Sequence, residues 1–167
     1  MTTGKWAVTG VPHTGWRCID IKDLGDREPR VVCEMCEVHS IRYVHEMHHD
    51  DYRETLYCGC VCAGHMEEDP DSARQREHLF RKQQTRRKNW LSRRWRPDWP
   101  LGEYVKTDGF RIIAWKNAVG DGYCARVEHR DTGYQRQSKL FYPTLDAAKL
   151  AAFDAMIDMA APLNRPR

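Results

Sequence analysis

Cys33-Glu34-Met35-Cys36, followed after 21 residues by Cys58-Gly59-Cys60-Val61-Cys62, is the stretch on which the fold of the N-terminal part turns. Two thiolate pairs about 20 residues apart match the spacing of a tetrahedral structural zinc site. A C-x2-C turn aims two sulfurs at one point, and two further thiolates close the tetrahedron. The ion then stabilises a module too small to build a core alone. The expected ligands are Cys33, Cys36, Cys60 and Cys62, holding one Zn2+ per chain. Cys58 is the substitute for Cys60, and Cys62-Ala63-Gly64-His65 offers His65 as a C-x2-H alternative. A reduced, buried cysteine cluster without metal is the competing reading.

Between the cysteine pairs, Ile41 to Met47 reads as a strand with Ile41, Tyr43, His45 and Met47 on one face. His49-Asp50-Asp51-Tyr52 supplies a turn and Thr55 to Tyr57 the returning strand; past Cys62, Ala63 to Glu68 reads as a short helix. A knuckle, a hairpin and ligands leading into a helix resemble a treble-clef or zinc-ribbon finger over about Val31 to Glu68. The C-x2-C pair followed by His45, His48 and His49 also resembles the HNH nuclease finger. That likeness implies a strand His that activates water and a second His that helps to hold a divalent cation. The sequence departs from that pattern, because no Asn lies between His49 and Cys58. Taken together, Asp23-Leu24-Gly25, Cys33-x2-Cys36, Ile41 to His45 and Gly59 to Met66 resemble a family of short bacterial proteins. That family implies no established activity.

Charge is segregated along the chain. The net charge is +3 over 167 residues, yet residues 1–71 carry 7 basic and 14 acidic side chains. Residues 72–96 carry 10 basic side chains against the single acid Glu77. Residues 97–167 are close to balanced. Such asymmetry points to an anionic partner. Asp69-Pro70-Asp71-Ser72 is a helix-start signal, with Asp71 or Ser72 as N-cap. Ala73 to Trp95 then lacks Gly and Pro, and Pro97 with Pro100 ends the helix. Its apolar residues are sparse, so most of its surface is wet and cationic. Arg81, Lys82, Arg86, Arg87, Lys88, Arg93 and Arg94 are candidate phosphate contacts. Trp90, Trp95 and Trp99, interleaved with arginines, are candidates for stacking on unpaired bases. The competing reading is a linker helix whose arginines pair with the acidic module and whose tryptophans anchor it.

Farther on, Gly109 to Trp115, Tyr123 to His129 and Tyr134 to Tyr142 read as strands. Thr144 caps an alanine-rich helix from Leu145 to Met159. This β-β-β-α order, with Phe141 to Lys149 followed by Phe153-Asp154-Ala155, resembles the ethylene-response DNA-binding domain and its phage and integrase relatives. The resemblance implies DNA contacts from strand residues, by position Arg111, Trp115, Arg126, Arg136 and Lys139. A small scaffold or partner-binding domain is the alternative. Cys18 and Cys124 read as packing residues.

The expected class is α+β: a small zinc finger (knuckle plus β-hairpin), a long basic helix, then a β-β-β-α domain. The expected divisions are an acidic Cys-rich module at 1–71, the basic helix at 72–96, a linker at 97–108 and the last domain at 109–167. No run approaches the ~20 apolar residues of a membrane helix, and a secretory signal is not expected, because no apolar run of 7–15 residues follows Lys5. A cytoplasmic location is therefore expected, where cysteines more often bind metal than pair. These readings converge on a zinc-stabilised, non-enzymatic nucleic-acid-binding protein, with DNA favoured. A protein-interaction adaptor or inhibitor and an HNH-like metal-dependent nuclease are the alternatives. Oligomeric state is open.

Overall fold

The computed structural model describes residues 3–25, 30–98 and 102–160. After a 3-10 turn at Gly4–Ala7, the elements are β1 (Arg17–Asp23), β2 (Val31–Val32), β3 (Ser40–Ile41), β4 (Tyr43–His49) and β5 (Tyr52–Cys58). There follow α1 (Cys60–Met66), α2 (Pro70–Lys88), β6 (Arg96–Asp98), β7 (Gly102–Thr107), β8 (Phe110–Lys116), β9 (Tyr123–His129), β10 (Gln135–Gln137) and α3 (Leu145–Ala160). The class is α+β. The chain divides into two units, Met1–Gln83 and Gln84–Arg167, at a point inside α2.

In the first unit, β1, β4 and β5 form an antiparallel sheet with β4 at the centre, and β2 pairs with β3. The expected hairpin is present and longer than its signal: His49 pairs with Tyr52 across Asp50 and Asp51, and β5 runs on to Cys58. β1 adds a strand that the sequence pattern does not mark. Its partners run from Arg17 opposite His48 to Asp23 opposite Tyr43, with an irregularity between Cys18 and Asp20. Because β4 is central, Val44, His45, Glu46 and Met47 are all buried, so both faces of this strand are covered. Trp6, Val11 and Trp16, from the segment ahead of β1, close the core together with Leu56, Ala63, Met66 and the cysteines.

The helix α1 begins at Cys60, three residues before its expected start at Ala63. α2 is capped by Asp69, whose Oδ1 accepts the Ser72 N–H at 3.0 Å. Pro70 thereby takes the first helical position, where its missing N–H costs nothing, and the cap is neither Asp71 nor Ser72. A Cβ on Gly64 of α1 would lie 2.7 Å from Pro70 Cα, so that close approach requires glycine. α2 stops at Lys88 rather than reaching Trp95, because Trp90 leaves the helical path to become a core residue.

In the second unit, five antiparallel strands run in the order β10-β9-β8-β7-β6, and α3 contributes to the same core. The sequence pattern predicts three strands. β7 and most of β6 occupy residues assigned to the 97–108 linker, β6 beginning at Arg96, the last residue assigned to the basic helix, and the turn Asp108-Gly109 joins β7 to β8. Both turn residues have positive φ, 49° and 79°, the geometry of a two-residue type I′ hairpin. The expected strand at 134–142 shrinks to Gln135–Gln137, plus an isolated bridge between Tyr123 and Tyr142. The expected helix is there, with Thr144 Oγ1 accepting the Ala147 N–H at 3.1 Å. Ala148, Ala152, Phe153 and Met156 are buried with Phe110, Ile112, Val127 and Trp90.

Candidate metal centre and cationic surface

Cys33 and Cys36 sit in a tight turn between β2 and β3. The Glu37 N–H bonds back to the Cys33 carbonyl at 2.8 Å, and Glu37 itself takes the left-handed φ of 55°. Gly4 backs this turn: it has φ +62°, and a Cβ there would stand 2.6 Å from the carbonyl carbon and oxygen of Cys36. Cys62 comes in from α1. The sulfurs of Cys33, Cys36 and Cys62 are buried and lie within 4.8 Å of one another, a group able to hold a metal ion. Their donor chemistry fits a thiophilic ion, since three soft thiolates converge where no solvent competes.

Cys58, at the buried end of β5, adds a further sulfur beside this group. Its thiol hydrogen-bonds Cys33, as does that of Cys62. Cys33 also accepts the Gly59 N–H at 3.4 Å. The bond from Cys58, together with that from Cys62 and the backbone N–H groups, holds the Cys33 thiol far below its ordinary range. The same bonds, reinforced by burial, push Cys58 and Cys62 upward.

Cys60 is not in this group, and the reason is helical geometry. Residues two apart on a helix point about 200° from each other, so Cys60 and Cys62 cannot aim at one centre once α1 starts at Cys60. Cys58, four residues before Cys62 at the end of β5, lies beside Cys33 but outside the group of three sulfurs that come within 4.8 Å of one another. His65 is exposed on α1 and lies outside the thiol group.

The three histidines have separate surroundings. His45 is fully buried on β4; its Nε2 is 3.2 Å from a Glu77 carboxylate oxygen and its Nδ1 is 3.8 Å from the Cys18 sulfur. Burial lowers its pKa, against the opposing pull of Glu77. The ring of His49 packs on Trp16 at 5.3 Å, and His48 Nε2 lies 3.7 Å from Asp50. Cys18 is half-buried beside His45 rather than a simple filler, whereas Cys124 is buried on β9.

The cationic candidates fall into two sets. Arg76 pairs with Glu67, Arg81 with Glu77, and Arg86 with Asp108. Arg87 grips Asp154 with two bonds of 2.8 and 2.9 Å. Arg111 on β8 pairs with Asp98 and lies over Tyr104. Trp90 is fully buried, donating its indole N–H to the Lys149 carbonyl at 2.7 Å, so it is a core residue and not a stacking platform. Trp95 is half-buried with its ring edge-on to Trp90 at 5.7 Å, and Lys149 Nζ lies over it. Trp115 and Arg126 are half-buried within the sheet, Arg126 with a buried Nε that has no hydrogen-bond partner among the described residues. Arg136 stands 3.8 Å from Asp158, and Lys139 is exposed between Ser138 and Leu140. Trp99 lies outside the described residues.

The second set is Arg93, Arg94 and Arg96, with Lys106 from β7. They line a cleft of about 250 Å³ together with Tyr104 and Val105. Among the described residues no carboxylate lines it. These four cations make no ion pair among the described residues, and Arg93 lies over the Trp90 ring at 5.3 Å. Lys82 and Lys88 on α2 are likewise unpaired among the described residues. Lys106 and Arg96 are not legible as partners from the sequence, because the pairing of β6 with β7 brings them together.

No family model matches the chain, and no curated protein or solved structure matches it. No helix among the described residues is long and apolar enough to cross a membrane.

Proposed function

We propose that the protein is a non-enzymatic nucleic-acid-binding protein, with DNA as the favoured partner, whose first unit is held by one Zn2+ on Cys33, Cys36, Cys58 and Cys62. The observation that carries this reading is the cleft of Arg93, Arg94, Arg96 and Lys106, four cations without a carboxylate among them. Convergent arginines hold phosphate oxygens bidentately, and their binding displaces condensed counterions from the duplex. The paired arginines of α2 act instead as structural ties, so the contact surface is shifted from the helix face to the segment that follows it. The reading is supported by the three converging sulfurs of Cys33, Cys36 and Cys62, to which Cys58 would add the fourth thiolate of a closed tetrahedral site. The complete burial of His45 supports a binding role over a hydrolytic one.

The test is a salt series. Replacing Arg93, Arg94 and Arg96 together by Ala should weaken duplex binding alike for all sequences. It should also reduce the slope of log K against log salt by about 0.9 for each phosphate no longer neutralised. Replacing Arg86 and Arg87 should leave the slope unchanged. Wild-type protein without affinity for DNA or RNA at ~50 mM salt would overturn the proposal. Divalent-metal-dependent cleavage abolished by His45→Ala would replace it with the nuclease reading.

A protein-interaction role is the second reading. It is favoured by Tyr134, Leu140 and Phe141, which are 64%, 75% and 59% exposed in the second unit.

A further inference from the structure

We propose that His45, Cys60 and Glu77 form a second metal site, separate from the thiol cluster and selective for a borderline divalent ion such as Zn2+ or Co2+. The three residues come from β4, the first turn of α1 and the middle of α2. Their ligand atoms all lie within 4.8 Å of one another. This set uses the cysteine that the thiol cluster leaves out, and the divergence of Cys60 from Cys62 around α1 keeps the sites apart.

Several observations converge on it. Glu77 is the single acid among residues 72–96, and it points at a fully buried imidazole instead of joining the solvated face of its helix. His45 Nε2 and the Glu77 oxygen are 3.2 Å apart. Two donors each about 2.1 Å from a tetrahedral zinc are themselves about 3.4 Å apart, so the pair is already at coordination spacing. The other ring nitrogen of His45 faces the Cys18 sulfur at 3.8 Å, the outer contact that orients a ligating imidazole. The second carboxylate oxygen of Glu77 lies 3.7 Å from Arg81, which orients that ligand in turn.

Donor chemistry sets the ion. One nitrogen, one sulfur and one oxygen suit zinc or cobalt and disfavour Mg2+ and Ca2+, which take oxygen alone. Binding replaces the Cys60 thiol proton, which leaves to solvent. The thiolate and the carboxylate then balance the two charges of the cation. Three protein donors leave a fourth position for water or an exogenous ligand.

The experiment counts metal on the full-length chain after loading with Zn2+ and dialysis, for wild type, Cys60→Ser and Glu77→Gln, with Co2+ absorption as a second readout. Two equivalents in wild type, falling to one in each variant with the folded circular-dichroism spectrum kept, are expected. A thiolate-to-cobalt absorption phase present in wild type and missing in Cys60→Ser is expected too. One equivalent in wild type that both variants retain would overturn the site while leaving the thiol cluster standing. One equivalent that Cys60→Ser abolishes would support the second site and remove the metal from the first. Glu77→Gln keeps the size of the side chain and half its hydrogen-bonding capacity, so its metal count decides the matter if Cys60→Ser fails to fold.

Discussion

The two units bury their interiors with different chemistry. In the first, seven of the twelve core residues carry sulfur: Cys33, Cys36, Cys58 and Cys62 with Met35, Met47 and Met66. In the second, the buried cluster is built on Trp90, Phe110, Ile112, Val127, Phe153 and alanines, and among its described buried members only Met156 carries sulfur. Methionine adapts to irregular gaps and thiols pack as small apolar groups, but neither fixes a position as an aromatic ring or a branched chain does. The first unit therefore depends on its thiols being drawn to one point, whereas the second depends on area removed from water.

Metal removal probes this contrast most severely. With a strong chelator, hydrogen exchange should accelerate across β4, β5 and α1 while β8, β9 and α3 keep their protection. The effect should be the largest of all, since structural zinc contributes on the order of 10–16 kcal/mol in small fingers. Equal protection in both units with and without chelator would show that the first core stands without an ion. The reciprocal perturbation is Trp90→Ala, which empties the centre of the second core and removes its bond to the Lys149 carbonyl. A loss of about 3–5 kcal/mol is expected, seen as lost protection in α3 and the sheet with metal content unchanged. Little destabilisation there would mean that Trp90 is not the anchor its burial indicates. The smallest effect is Thr144→Ala. It removes the side-chain cap at the start of α3 and should cost about 1 kcal/mol by chemical denaturation, confined to the second unit.

Much of the local structure is legible in the sequence. β9 occupies the residues its alternation marks, and α3 spans Leu145–Ala160 where Leu145 to Met159 is expected. The knuckle is legible because C-x2-C spacing constrains a turn whatever surrounds it. Other elements escape for identifiable reasons. β1 alternates Ile19 and Ile21 with Asp20 and Lys22, but the run is only four residues long and the strand is largely exposed, so the signal is weak. β6 and β7 lie among Pro97, Pro100 and Gly102, which read as a linker. The Asp108-Gly109 pair is nevertheless a hairpin signal in plain view, because both residues tolerate the positive φ that a two-residue turn requires. Trp90 is a core anchor rather than a stacking surface, the alternative already open in the sequence, because residue type alone does not tell a stacking surface from an anchor.

Periodicity, capping and ligand spacing act over a few residues, and they were enough for the α+β class, a cysteine centre in the first part, the long basic helix, and a sheet with an alanine-rich helix in the second. Folding in three dimensions settled which cysteines converge, that Arg87 is tied to Asp154, and that Arg96 and Lys106 share one cleft. It also settled that Glu77 faces His45. The physical reason is direction. Side chains a few residues apart diverge by angles that depend on where a helix begins, and residues 32 or 67 positions apart meet only when strands pair and helices dock. Local propensity does not encode those meetings; the packing of the two cores does.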